Sequence, residues 1–357
     1  MPAKRRREIM DPTRVGAYHC YSRCVRRAFL AGIDLETGRD FSHRKDWVRQ
    51  RLEALASVFA IDVLDHAVME NHVHSILRNR PDVARAWTKR EVAERWLRLS
   101  RKRLALLDPP DREQVEELLK TKGRVDVLRK RLSNISWFMI MLNEPLALRA
   151  NLEDEMSGHF WAERFGSMRL ENDESLLVCS LYVDLNPIRA GAATSPETSI
   201  FTGACDRLRD LQQELLAQRR RKRETLRRVL GEGPDELELD ARRVLRRKKP
   251  RSGWLSPVRV EGDGYAGAAA GRRASDKGYL PMTLEKYLQL LDACGRERTE
   301  GKRGVIPAEL PPLLERLGWD KATWSDEAAA AARRFARIGA QCARQAAERK
   351  KRAKKET

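Results

Sequence analysis

The chain has 357 residues, 41% of them hydrophobic, enough for one core of ordinary domain size with a large remainder outside it. Its 71 Lys and Arg outnumber 52 Asp and Glu, leaving a net charge of +19 and a pI near 10.0, so a polyanion is the first partner to consider. No run approaches ~18 apolar residues, no apolar amphipathic anchor stands out, and MPAKRRREIM lacks an apolar stretch behind its basic residues. These features argue against a membrane partner and a secretory signal, and the expectation is an intracellular protein that binds nucleic acid. The six cysteines (Cys20, Cys24, Cys179, Cys205, Cys294, Cys342) are scattered, and Cys20 and Cys24 have no second pair at zinc-ribbon spacing. Reduced thiols are expected.

Residues 1–15 form a polar, basic arm. Ala17 to Val25, AYHCYSRCV, alternates aromatic and β-branched residues with polar ones, the pattern of a strand. Ser42 can cap a helix in which Val48, Leu52, Leu55 and Phe59 recur at helical spacing. The stretch from Ile61 to Leu77, IDVLDHAVMENHVHSIL, then reads as strand, tight turn at Glu70 and Asn71, and strand. Because strand side chains alternate faces, His72 and His74 point the same way and set two imidazoles side by side, as a divalent-metal site requires. The plainer reading is two polar positions on a half-exposed strand, and a third ligand must come from elsewhere. His66, on the strand before the turn, is more often a satisfied strand residue than a ligand; His19 reads as structural, and Asn71 as the residue that fixes the turn.

From Asp82 to about Arg131 the chain is helical and charged, broken at Pro109 and Pro110, and reads as a helical insertion. Ile135 to Arg149 is apolar enough to pack on the sheet, and His159 to Leu170 suggests another strand. Asn172 or Asp173 can cap a helix with Leu177, Leu181 and Leu185 as its core-facing stripe. On that helix Tyr182 and Asn186 lie four residues apart, so a phenol and a carboxamide share a face. Asn186 precedes Pro187, which predicts that the helix ends there. Beyond it, a basic helical region (201–260) holds LQQELLAQRRRKRETLRR and RRVLRRKKPR, whose charge runs suit a nucleic-acid backbone. A glycine- and alanine-rich linker (261–276) with little order, a small helical accessory module (277–345) and a basic tail (346–357) complete the expected organisation.

Four segments in order, GAYHCYSRCVRR, MENHVHSIL, FWAERF and LYVDLNPIRAG, resemble the IS200-like and REP-associated tyrosine transposases, single-strand DNA transposases of the HUH class. The resemblance spans roughly 16–191. It implies an α+β fold, an antiparallel sheet with packed helices around an HUH, ferredoxin-like core. It also implies that His72 and His74 bind a divalent cation, Mg²⁺ or Mn²⁺, that Asn186 supplies a third ligand, and that Tyr182 is the nucleophile. A phenol is a poor nucleophile at its free pKa of ~10, and a nearby cation favours the phenolate. The implied product is a 5′-phosphotyrosine with a free 3′-OH, which a second 3′-OH can reverse. In relatives the substrate is often hairpin DNA with a single-stranded tag, two subunits commonly cooperate, and the setting is the prokaryotic cytoplasm and nucleoid.

Arg23, Arg164 and Arg189 are the candidate nucleic-acid contacts, while Tyr18 and Tyr21 read as sheet-packing or base-stacking residues. The sequence departs from the family at Glu70, where relatives have proline, and at Asn186, a weaker ligand than a carboxylate. The alternatives are a catalytically silent DNA-binding protein of this fold and an HUH relaxase or replication initiator. A different metallohydrolase is disfavoured because Ser75, Ile76 and Leu77 follow His74 in place of an aspartate and histidine.

Overall fold

A computed structural model describes residues 10–25, 30–34, 37–230, 250–260 and 271–317. The Ile61–Leu77 stretch folds as the expected hairpin, β2 (Ile61–Val68) turning into β3 (His72–Asn79), with Val68 opposite Val73. Three backbone hydrogen bonds fasten the turn: Met69 N–H donates to the His72 carbonyl (2.9 Å), Ala31 N–H to Glu70 (2.8 Å) and Cys24 N–H to Asn71 (3.0 Å). On the other side of β3 runs β1 (Gly16–Arg23), with Tyr21 opposite His74, and β4 (Gly166–Leu170) adds outside β1. All pairings are antiparallel and the order across the sheet is β2-β3-β1-β4.

Strand alternation gives the sheet two apolar faces, each of which must be covered. Tyr18, Cys20, Val63, Val73 and Leu77 share a core with α1 (Arg44–Val58) and α6 (Ile135–Glu153), through Leu52, Leu55, Phe138 and Leu142. Arg51 crosses that layer fully buried and donates from Nε to the Met141 carbonyl at 2.9 Å, which satisfies a charge that burial would otherwise penalise. On the opposite face Ala67, Ile76 and Leu170 share a core with α7 (Asp173–Arg189), α8 (Gly203–Val229), α9 (Leu284–Arg296) and the short α10 (Leu313–Arg316). The Leu177, Leu181 and Leu185 stripe of α7 is buried there as its spacing predicts, each leucine contributing about 1.5–3 kcal/mol by leaving water.

The insertion folds as four helices, Pro81–Ala86, Lys89–Leu97, Arg112–Lys120 and Arg124–Leu132. Asn172 caps α7 by accepting from the Ser175 N–H, and Ser175 returns a bond to the Asn172 backbone. Three expectations need correction. Only Gly166–Leu170 of the 159–170 stretch is strand; before it, Phe160 and Phe165 are spent on the core and Trp161 makes a single bridge to Cys24. α7 does not stop at Asn186 but runs through Pro187 to Arg189, because Leu185 and Ile188 are wholly buried on either side and tertiary packing overrides the local preference. The linker is packed where it is described: buried Ser275 donates to Asp62, whose carboxylate also takes Arg78 and Arg80.

α8 buries Leu208 and Leu211 and exposes the basic run Arg219 to Arg223. α9 packs on α7, and α10 packs on α9. Asp11 and Arg14 of the amino-terminal arm dock against β1 and β3: Tyr18 Oη accepts from Asp11 N–H and the Asn79 side chain donates to the Arg14 carbonyl. Residues 1–9, 26–29, 35–36, 231–249, 261–270 and 318–357 lie outside the described residues, taking with them the end of the GAYHCYSRCVRR segment, most of the second basic run, the rest of the accessory module and the tail. Cys20, Cys24, Cys179, Cys205 and Cys294 are buried and outside any disulfide, and Cys342 lies outside the described residues. Among the described residues no helix is long and apolar enough to cross a membrane.

Candidate functional site

The face of the sheet under α7 carries His72 and His74 on β3 and, on β1, His19 opposite Ile76 and Tyr21 opposite His74. The His72 and His74 rings lie edge to face with centroids 4.7 Å apart, and His19 stacks on His74 at 5.0 Å. α7 brings Tyr182 down onto this cluster, its ring 5.6 Å from that of His74 and 6.2 Å from that of His19, both edge-on. Tyr21 is 39% exposed and lies across Gly166 of β4, where a Cβ would meet its ring at 2.2 Å. Only a residue without a side chain leaves room for that ring.

Hydrogen bonding fixes which nitrogen of His72 carries the lone pair. Asn71 Oδ1 can only accept, so at 2.5 Å it accepts a hydrogen bond from His72 Nδ1–H, which leaves Nε2 as the lone-pair nitrogen of the neutral ring. His74 Nδ1 is 2.9 Å from His19 Nε2, while His74 Nε2 is buried with no partner. Asn186 is buried one turn beyond Tyr182, and its amide nitrogen has no hydrogen-bond partner of good geometry. Burial depresses all three histidines: His19 and His72 are pushed down to about 4, with the His72 charge adding to the first and Arg23 and Lys302 to the second, and His74 falls well below its usual value. The cluster is therefore neutral at pH 7.

Among the described residues no group of three or more His, Cys, Asp or Glu side chains converges on a cation site. The donors available here are two imidazoles and a carboxamide oxygen, those of His72, His74 and Asn186. They fit a divalent cation chemically, because each histidine has its Nδ1 engaged by another side chain and its Nε2 left over, the arrangement metal-bound histidines use. Burial, with Cys179 beside it, pushes the Tyr182 phenol above the usual tyrosine range, and Arg189 and Asn186 oppose that rise.

Of the residues singled out in the sequence, His72, His74, Tyr182 and Asn186 come together on this face. Arg23 stands exposed at the end of β1 opposite His72, and half-buried Arg189 lies two turns after Tyr182 on α7. Arg164 is exposed in the irregular segment entering β4. His66 points away from the cluster, fully buried against Trp254 at a ring distance of 5.0 Å. Sequence reasoning missed His19, whose alternation with Tyr21 was visible but whose pairing with β3 was not, and Lys302, which lies more than a hundred residues from any motif. No protein-family model, curated protein or solved structure matches the chain.

Proposed function

We propose that the protein cleaves and rejoins single-stranded DNA through Tyr182, as a transposase of the HUH class, with Mg²⁺ or Mn²⁺ held by His72, His74 and Asn186. The observation that carries this reading is the meeting of Tyr182 with the His72–His74 pair across the contact between α7 and β3. The order β-α-β-β-α-β with strands arranged β2-β3-β1-β4 supports it, since that is the layout of a ferredoxin-like sheet with α1 and α6 on one face.

In this reaction Tyr182 Oη attacks a backbone phosphorus, the bond to the 3′ oxygen breaks, and the proton lost by the phenol is balanced by the one gained on the departing 3′-OH. The product is a 5′-phosphotyrosine, and attack by another 3′-OH returns the proton and restores the tyrosine. When bound, the cation would polarise the phosphate and favour phenolate over phenol. Neutral imidazoles matter for that, because they leave the His72 Nε2 lone pair available, and that of His74 when its Nδ1 carries the proton, with the cation's charge largely uncancelled. Arg23, opposite His72, and Arg189, two turns after Tyr182, suit backbone phosphates, with Arg164 and the exposed cations of α8 as further exposed cations. Tyr21 offers a face on which an unpaired base can stack.

The family resemblance suggests hairpin DNA of the REP type and a pair of cooperating subunits. The test is a denaturing gel of the full chain with labelled single-stranded oligonucleotides from the DNA flanking its gene. A Mn²⁺-dependent adduct formed by wild type and missing from Tyr182→Phe supports the reading. Tight DNA binding with no adduct in any metal would leave a binding protein of this fold, and movement of a marked element in cells separates a transposase from a relaxase or replication initiator.

A further inference from the structure

The segment beyond the transposase-like stretch folds back onto the site. Tyr287 of α9 donates its phenolic proton to Asp184 Oδ2 at 2.6 Å, two residues along α7 from Tyr182. Gly295, at the end of α9, sits so close to Ile306 and Leu185 that a Cβ would meet them at 2.4 and 3.0 Å. The chain between them returns to the end of α7, where Arg303 N–H and Gly304 N–H donate to the Arg189 carbonyl at 3.1 and 3.4 Å. Gly304 approaches so near that a Cβ would stand 2.0 Å from the Ile188 carbonyl oxygen, a backbone atom that cannot swing aside. A bond from Lys302 N–H to the Thr299 carbonyl (3.1 Å) closes the turn.

Tyr182, Asn186 and Arg189 are spaced i, i+4, i+7 and so form one stripe of α7. The loop is tied to the last residue of that stripe, which holds Lys302 next in sequence to a residue bonded to the end of α7. Lys302 is exposed and has no ion pair among the described residues. A cation without an ion-pair partner, on a loop fixed by backbone bonds to the last residue of the Tyr182 stripe, is suited to an anion arriving from solution.

We propose that Lys302 binds a backbone phosphate of the DNA strand engaged at Tyr182, so that the carboxy-terminal segment is part of the nucleic-acid site. This rests on the single-strand DNA reading above. The test is fluorescence anisotropy of a labelled single-stranded oligonucleotide with the full chain in EDTA, which keeps cleavage out of the measurement, at several salt concentrations. Lys302→Ala should bind more weakly and lower the magnitude of the log–log salt slope by about 0.7, the value for one phosphate contact on a single strand. Lys302→Arg, which keeps the charge, should restore the slope. If wild type binds and Lys302→Ala shows the same affinity and slope, or if Lys302→Arg is as impaired as Lys302→Ala, the inference is overturned and the DNA reading stands. If wild type fails to bind single strands, both fall.

Discussion

His19 Nε2 lies 2.9 Å from His74 Nδ1, with the two rings stacked at 5.0 Å. Two neutral imidazoles in this contact share one proton between them. If His74 carries it on Nδ1, the buried Nε2 of His74 keeps its lone pair and faces the site. His19 is then a positioning residue for the pair it was not expected to join. In His19→Phe, long-range ¹⁵N correlation spectra should show His74 redistributed between tautomers. Mn²⁺ affinity, measured calorimetrically without DNA, should fall about tenfold or more, the usual effect of losing a ligand's supporting partner. An unchanged His74 tautomer and unchanged affinity would contradict that role.

Asp184 sits in a buried network with Asp65, Arg207 and Tyr287, and burial raises both carboxyls. Tyr287→Phe removes the 2.6 Å bond to Asp184 and leaves a buried acceptor short of a donor. That should cost about 1–3 kcal/mol, read as a lower urea midpoint with an unchanged denaturant slope. An unaltered midpoint would mean that α9 is not anchored to α7 through this bond.

What could be read from the chain was what depends on local period and local chemistry. Alternation in the 61–77 stretch showed the hairpin and placed His72 and His74 together, and Asn172 before an apolar stripe marked the start of α7. What could not be read depends on long-range pairing. Nothing near His19 tells that β1 lies against β3, so its place beside His74 was hidden. Pro187 misled in the opposite sense, since a local rule for the residue before proline yielded to the burial of Leu185 and Ile188. Phe160, Trp161 and Phe165 looked like a strand because aromatic residues suit strands and cores alike. Lys302 is one cation among many in a basic chain, and only the tether of its loop to Arg189 distinguishes it.

His66 is fully buried with both ring nitrogens unpaired, and burial, followed by the charges of Arg49, Arg207 and Arg251, holds it well below 6.5. The unfolded chain therefore takes up a proton near 6.5 that the folded chain refuses, so His66 makes the fold less stable as pH falls below that value. Asp65 and Asp184, raised in the fold, act in the opposite sense but are common to wild type and variant. His66→Leu should thus gain on wild type by up to about 1.4 kcal/mol for each pH unit below 6.5, seen in paired urea titrations from neutral pH downward. A difference that does not change with pH would show that His66 is not held neutral.

The measurement that bears most directly on the central claim is the site of covalent attachment. The full chain is incubated with Mn²⁺ and single-stranded oligonucleotides from the DNA flanking its gene, denatured, digested with nuclease and protease, and the peptides are read by mass spectrometry. The account predicts a nucleotide joined through its 5′ phosphate to the peptide containing Tyr182, together with a released fragment ending in 3′-OH. A nucleotide on Tyr21 or another residue, or strand cleavage that leaves Tyr182 unmodified throughout, would contradict it.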